Sequence, residues 1–309
     1  MRMKRIQNRI AESRLSLPVL AVYGVLVCVA AGLLQGQLWL PFVLLALSTL
    51  LMVELNNANA LIRIYSRMVS CSFLALTLMA AYTFASVTGA VVQLCLMACY
   101  VTLFAAYQDK GAAGWVFYAF LAIGTASAFF VQILFFVPVL WLLLAHNILA
   151  LSWRTFFASL LGLIVPYWFV GGYYAYQGNI RWIAGHFSEL AQFAPPLDFS
   201  GWNSHQAVTF CFIALLAATG IIHFLRNSYR DKIRTRMLYE FLIVMTVSTL
   251  VFMLLQPQHH DLLLHVLIIN TAPLIGHFIA LTQTRITNWA FVAMCAATLA
   301  LTAYNLWIP

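Results

Sequence analysis

Apolar runs of about twenty residues follow one another along almost the whole chain, separated by short polar connections. A run of about 20 apolar residues is long enough to cross the hydrocarbon core of a bilayer as an α-helix. Only 8% of the 309 residues are charged and 64% are hydrophobic, whereas soluble domains carry about 25% charged residues. The sequence therefore predicts an all-α fold, a polytopic bundle of transmembrane helices.

The run over 115–150 is too long for one crossing, because 36 residues form a helix of about 54 Å. A break at Gly124–Ser127 divides it into two spans. With this division the sequence predicts eleven spans: 17–36, 38–55, 67–86, 88–107, 115–127, 129–150, 155–176, 206–226, 237–255, 262–282 and 288–307.

Basic residues orient these spans, because cytoplasmic loops carry an excess of Lys and Arg. With the N-terminus in the cytoplasm and the C-terminus outside, fifteen of the sixteen basic residues fall on the cytoplasmic side. Only Arg181 falls outside. The prediction is a single membrane domain over 1–309, with a cytoplasmic basic segment at 1–16 and an outer loop at 177–205. Because the charges are spread over many loops rather than along one face, nucleic acid is excluded as a partner.

The outer loop 177–205 contains apolar residues at helical spacing, namely Ile180, Ile183, Ala184, Phe187 and Leu190. This spacing predicts a short amphipathic helix that lies along the outer membrane interface and ends before Pro195–Pro196. Four residues of the loop are polar or aromatic candidates for substrate binding: Trp182, His186, Trp202 and His205.

A second polar group stands at the mouth of the tenth span, where HHDLLLH covers residues 259–265. Asp261 and His265 are four residues apart and share a helical face. A carboxylate beside an imidazole suits a general base or a metal ligand. We therefore hypothesise that Asp261 and His265 pair at the floor of an outer cavity roofed by 179–193.

The acids of this side are the candidates for general acid–base chemistry, with Glu189 and Asp198 facing Asp261 and His265 from the loop. His259, His260 and His265 are the candidate ligands of a divalent metal. The alternative is that these polar groups only cap a helix mouth in the headgroup region.

Histidines also occur inside spans, where polar groups usually face the bundle interior. His223 and His277 lie on the inner halves of their spans, and interhelical hydrogen bonds are the expected role. The predicted spans hold no Asp or Glu near their middle. A proton- or sodium-coupled transporter usually needs such a carboxylate, so its absence argues against transport.

Three stretches resemble a family of polytopic inner-membrane proteins of Bacteroidota that has no assigned activity. They are NNANALIRIYSRMVSCSFLALTL at 56–78, YQDKGAAGWVFYAFLAIGTASAFF at 107–130 and SWRTFFASLLGLIVPYWFVGGYYAY at 152–176. The most specific part is Trp153–Arg154 followed by G-L-x-x-P-Y. The resemblance implies a membrane fold and a location in the bacterial inner membrane, but it implies no reaction.

A more distant resemblance is to the membrane fold of C-type glycosyltransferases, which use polyprenyl-phosphate sugars at the outer face. It rests on the R-x-x-S pattern at Arg63–Ser66 and on the late span with Pro273. Those enzymes carry a catalytic acid on a large first outer loop, which this chain reduces to Gln35–Gln37. The resemblance therefore implies a base from Glu189, Asp198 or Asp261, or a relative without catalysis.

Three functions remain open from the sequence. The first is binding of a lipid-linked or amphipathic substrate at the extracytoplasmic face, with membrane lipids, polyprenyl-linked ones included, as partners and a degenerate glycosyltransferase-like fold. The second is a non-enzymatic subunit or scaffold of a cell-envelope complex, with other envelope proteins as partners. The third is a transporter.

Overall fold

A computed structural model describes residues 5–179 and 181–307. This part of the chain consists of helices joined by connections, and it contains no strand. The α-helices are α1 Ile6–Ala11, α2 Ser16–Ala30, α3 Trp39–Asn59, α4 Met68–Met79, α5 Val87–Ala105, α6 Ala113–Phe129, α7 Val137–His146, α8 Trp153–Tyr176, α9 Arg181–Ser188, α10 Ser204–Asn227, α11 Ile233–Leu255, α12 His260–Leu281 and α13 Arg285–Trp307. The all-α prediction is confirmed.

Seven of these described helices are long and apolar enough to cross a membrane: α3, α5, α8, α10, α11, α12 and α13. The segments Ser16–Ala30, Met68–Met79, Ala113–Phe129 and Val131–His146 are apolar but shorter. Each predicted span coincides with one of these segments, and the protein has the helices of an integral membrane protein. The count of eleven crossings and the orientation of the termini stay predictions.

The predicted break at Gly124–Ser127 is wrong, because α6 continues to Phe129. The chain leaves the helix at Phe130, which is extended (φ −144°, ψ 92°), and a 3-10 helix follows over Val131–Phe136. Gly124 has another role. A Cβ there would lie 2.8 Å from the Leu163 carbonyl oxygen, and one at Gly162 would lie 2.5 Å from the Phe117 carbonyl oxygen. These glycines let the backbones of α6 and α8 approach closely.

Helix α12 is the axis of the bundle, since 94% of its apolar window is buried, against 11% for α13 and 22% for α8. It packs against α4, α5, α10 and α11. A helix that is apolar on all sides is expected at the centre of a fold. Large apolar side chains on α8, such as Trp168 and Phe169, are exposed instead, as lipid-facing residues are.

Hydrogen bonds define two ends of this bundle. At the end that carries residues 177–205, here named the loop end, Asn305 Nδ2 donates to the Met79 carbonyl and to Thr209 Oγ1. At the opposite end, here named the basic end, Arg234 donates to Asn59 Oδ1 over 2.8 Å. The C-terminal ends of α3 and α4 therefore lie at opposite ends of the bundle, and so do the N-terminal ends of α10 and α11, as in a bundle whose helices alternate in direction.

Candidate functional site

The loop 177–205 begins with a helix, as its apolar spacing predicts. Helix α9 covers Arg181–Ser188, and a 3-10 helix follows over Glu189–Ala191. The chain then becomes extended at Gln192, before the two prolines. Ile180, which the spacing placed on the apolar face, lies outside the described residues. The position of α9 along a membrane interface stays a prediction.

Helix α9 is held against α6 and α8 by aromatic rings and one buried histidine. The Trp182 indole stacks on Tyr174, at 4.2 Å, and on His186, at 4.8 Å. The Nε2 atom of buried His186 lies 2.9 Å from the Ser127 carbonyl oxygen. Since a carbonyl oxygen only accepts, Nε2 carries the proton of this hydrogen bond. These contacts fix α9 over the end of α6.

The second half of the loop is tied to the connection between α11 and α12. Gln256 Oε1 accepts from the Ala194 N–H over 3.1 Å, and the Leu197 N–H donates to the Leu254 carbonyl over 3.1 Å. The Trp202 indole N–H donates to the Pro257 carbonyl over 3.0 Å. The loop is therefore anchored on both sides of the space below it.

That space is an open pocket of about 450 Å³, here named the loop pocket. Its wall from the loop consists of Trp182, Gly185, His186, Glu189 and Gln192. The opposite wall consists of Gln132 from the 3-10 helix after α6, together with Gln258 and His259 before α12. A pocket of this size falls within the usual range for small-molecule sites. The loop and the connection before α12 thus line one cavity, but Asp261 and His265, which the hypothesis placed at its floor, are not part of the lining.

The walls of the loop pocket carry polar side chains whose hydrogen-bonding capacity is only partly filled by other residues of the protein. Gln258 Nε2 donates to the Gln192 carbonyl over 3.4 Å and lies 3.2 Å from His259 Nε2. The His259 ring packs against Phe130 at 5.4 Å. The Glu189 carboxylate lies within electrostatic range of the His259 imidazole. An acid and an imidazole facing one space can carry out proton transfer.

The structure divides the predicted site residues into two groups. Four of them line the loop pocket: Trp182, His186, Glu189 and His259. The others lie elsewhere at the loop end: Asp198, Trp202, His205, His260, Asp261 and His265. Asp198 is fully exposed, and its Oδ1 accepts from the Ser200 N–H over 3.1 Å. The Ser200 hydroxyl and N–H hold the pKa of Asp198 below its usual value.

The predicted pair of Asp261 and His265 is wrong. Asp261 Oδ1 accepts from His260 Nδ1 over 3.0 Å and from Gln206 Nε2 over 2.9 Å. His265 Nδ1 lies 2.5 Å from Gln93 Oε1 of α5. Side chains on a helix lean toward its N-terminus, so Asp261 reaches residues at the mouth of α12 while His265 turns to α5.

Trp202 and His205 belong to an aromatic group above α12 rather than to the loop pocket. The Trp202 ring meets the His260 ring at 4.4 Å, and Tyr82 meets His205 at 4.8 Å. His260 is buried. These rings pack against one another beside α12, and neither Trp202 nor His205 lines the loop pocket. Their role in substrate binding stays a prediction.

The predicted metal ligands do not converge. His259 faces the loop pocket, His260 faces Trp202, and His265 faces Gln93. Within residues 5–179 and 181–307, no group of three or more His, Cys, Asp or Glu side chains is arranged to hold a metal ion.

The basic end contains a charged group that the sequence did not predict, here named the basic-end cluster: buried Asp231 and His277, with exposed Arg63 beside them. Asp231 Oδ2 lies 3.0 Å from His277 Nε2, and the two side chains are 3% and 1% exposed. Arg63 Nη1 lies 3.8 Å from Asp231 Oδ1. Asp231 stands among five basic residues of the hairpin 226–236. A single acidic residue within a basic hairpin was the feature of the sequence that could have indicated this cluster.

Comparison with known proteins finds no matching family model, no matching curated protein and no matching solved structure. The resemblances drawn from the sequence therefore stay predictions, and the geometry of the loop pocket carries the functional argument.

Proposed function

We propose that the protein is an integral protein of the bacterial inner membrane that binds the polar head of an amphipathic, lipid-embedded substrate in the loop pocket, on the extracytoplasmic side. One observation carries the proposal: a helix that the sequence marks as amphipathic, α9, forms one wall of a polar pocket at the end of apolar helices. Such a pocket can hold a head group while the tail stays in lipid.

The outer surface of α8 supports this arrangement. Trp168 and Phe169 are 79% and 72% exposed. Helix α9 lies against the same helix, because a Cβ on Gly171 would come within 3.2 Å of Ile183 Cδ1. An apolar tail lying along α8 would therefore approach α9 and the pocket from the lipid side.

Glu189 is the residue to which the proposal assigns any base chemistry. Of the three acids that the sequence offers, Glu189 alone lines the loop pocket, whereas Asp198 and Asp261 lie outside it. His259 stands within electrostatic range of Glu189. A base must lie within reach of the proton that it abstracts, and for a substrate in this pocket Glu189 meets that condition.

A photo-cross-linker tests the proposal. Benzoylphenylalanine replaces Gln192 in the pocket wall, and in a matched control it replaces Asp198, which is exposed on the same loop. After irradiation in native membranes, mass spectrometry should find an amphiphile attached at position 192 and not at 198. Equal labelling at both positions, or labelling at neither, would overturn the proposal.

The basic-end cluster favours a second candidate, a transporter. The sequence argued against transport because its spans lack a central acid, yet Asp231 is folded into the bundle beside His277. Buried ionisable pairs at membrane depth often belong to proton relays. In proteoliposomes with an entrapped pH dye, this candidate predicts proton flux that His277→Gln abolishes. No flux from the wild-type protein would remove the candidate.

A further inference from the structure

The loop pocket contains a buried amide that has no hydrogen-bond partner among the described residues. Gln132 is 7% exposed and lines the pocket. No hydrogen bond reaches its side chain from any other described residue. A buried polar side chain is usually hydrogen-bonded, so the Gln132 amide is available to a ligand. It can both donate and accept.

Two more amides face the same space. Gln192 and Gln258 stand on opposite walls, and the side chain of Gln258 is only partly engaged, through long contacts. Three amides offer a mixture of donors and acceptors. A group with several hydroxyls or amides matches that mixture, because each of those groups also donates and accepts.

The charge of the pocket excludes the commonest lipid head chemistry. The described lining holds one carboxylate, Glu189, and no Lys or Arg. Phosphate sites in proteins usually contain Arg or Lys. The nearest basic residue along the loop, Arg181, is exposed and outside the lining. A phosphate in the pocket would therefore face Glu189 without a countercharge.

A cationic head group is also poorly matched. Cations bind over the faces of aromatic rings, but the Trp182 indole is already stacked on the rings of Tyr174 and His186. Glu189 alone would have to hold the charge.

Resting on the function proposed above, we infer that the loop pocket selects an uncharged head group rich in hydroxyls or amides and discriminates against phosphate. Gln132, Gln192 and Gln258 supply the hydrogen bonds, and Glu189 accepts from a hydroxyl and repels anions. Any phosphate carried by the same amphiphile would lie outside the pocket.

Three amphiphiles with the same tail test this inference: octyl glucoside, octyl phosphate and octyltrimethylammonium. The protein is placed in lipid nanodiscs and labelled with fluorotryptophan. The ¹⁹F resonance of Trp182, assigned by Trp182→Phe, reports the pocket. The resonance of Trp153, an exposed residue outside the loop, reports non-specific partitioning.

Octyl glucoside should shift the Trp182 resonance saturably, and octyl phosphate should bind about tenfold more weakly or worse, since like charges oppose each other. Gln132→Leu should weaken octyl glucoside about tenfold, because its buried amide is lost. Glu189→Gln should improve octyl phosphate, whereas the matched Asp198→Asn should not.

The outcomes separate the inference from the function on which it rests. Tighter binding of octyl phosphate or octyltrimethylammonium than of octyl glucoside, sensitive to Glu189→Gln, would overturn the head-group assignment and leave an amphiphile site in place. If all three amphiphiles moved Trp182 and Trp153 alike, with no effect of Gln132→Leu, the pocket would bind no amphiphile and both proposals would fail.

Discussion

The loop pocket and the basic-end cluster each contain an acidic residue near a histidine, but the two pairs differ in burial and in contact. At the basic end, Asp231 and His277 lie 3.0 Å apart and are almost completely buried. In the loop pocket, Glu189 and His259 face an open cavity of about 450 Å³, and no hydrogen bond between the described side chains joins them. The first pair is joined by its own hydrogen bond and links α12 to the connection before α11. The second pair is available to a ligand.

The largest expected effect is at the buried pair. Asp231→Ala leaves His277 without its partner and should destabilise the protein by about 3–5 kcal/mol. Unfolding in detergent, followed by the loss of tertiary signal, measures this change. Asp109→Ala is the matched control, since Asp109 is exposed at another connection. If both variants unfolded like the wild-type protein, the buried pair would have no structural role.

Two glycines sharpen the same comparison. A Cβ on Gly276, beside His277, would lie 2.9 Å from the Val69 backbone, whereas a Cβ on Gly185, in the pocket wall, would meet nothing within 4 Å. Gly276→Ala should therefore cost about 1–3 kcal/mol. Gly185→Ala should be neutral or gain up to about 1 kcal/mol from helix propensity. Similar losses at both positions would show that the pocket is as tightly packed as the basic end.

The attachment of the loop gives a smaller, local effect. Gln256→Leu removes the hydrogen bonds to Ala194, each worth about 0.5–1.5 kcal/mol. Hydrogen exchange should accelerate in 189–202 while the global unfolding transition stays in place. Gln177→Leu, which removes an exposed contact to Tyr173, is the control. Unchanged exchange in the Gln256 variant would mean that Trp202 and Leu197 suffice as anchors.

The smallest effect concerns Asp198 and pH. Its pKa in the folded protein is below the unfolded value, because Ser200 donates hydrogen bonds to the carboxylate. The stabilisation is therefore fully present above the unfolded pKa of about 3.9 and is lost as pH falls through the folded pKa. Exchange near Ser200, corrected for intrinsic rates, should rise over that acidic window, and Asp198→Ala should remove the dependence. A pH-independent wild-type loop would contradict this.

The apolar runs were sufficient to locate the helices, because a length of about 20 apolar residues is a local property of the sequence. The division of this run was predicted, but the position of the break, at Phe130 rather than within Gly124–Ser127, was not predictable. Whether Gly124 interrupts a helix or lets α8 approach depends on a neighbour about forty positions away along the chain. Glycine is compatible with both roles, and spacing alone does not separate them.

The loop pocket was predicted in outline and missed in detail. The proximity of the loop to 256–261 followed from orientation, but its floor contains Gln258 and His259 rather than Asp261 and His265. Gln132 was missed, although it is a lone polar residue within the apolar run FFVQILFF. Asp231 was missed because it lies in a connection. The side chain of such a residue can turn into the bundle, and the positions of the spans alone do not predict this.

Filling the loop pocket tests the central claim most directly. Gly185→Trp places an indole in open space, and Gly172→Trp is the matched control, since a Cβ at either glycine meets nothing within 4 Å and Gly172 lies outside the pocket lining. Native mass spectrometry of protein extracted gently from membranes would measure bound amphiphile. The account predicts that the wild-type protein and Gly172→Trp retain it, whereas Gly185→Trp loses it at unchanged stability. Equal retention by Gly185→Trp would place the binding site elsewhere and contradict the account.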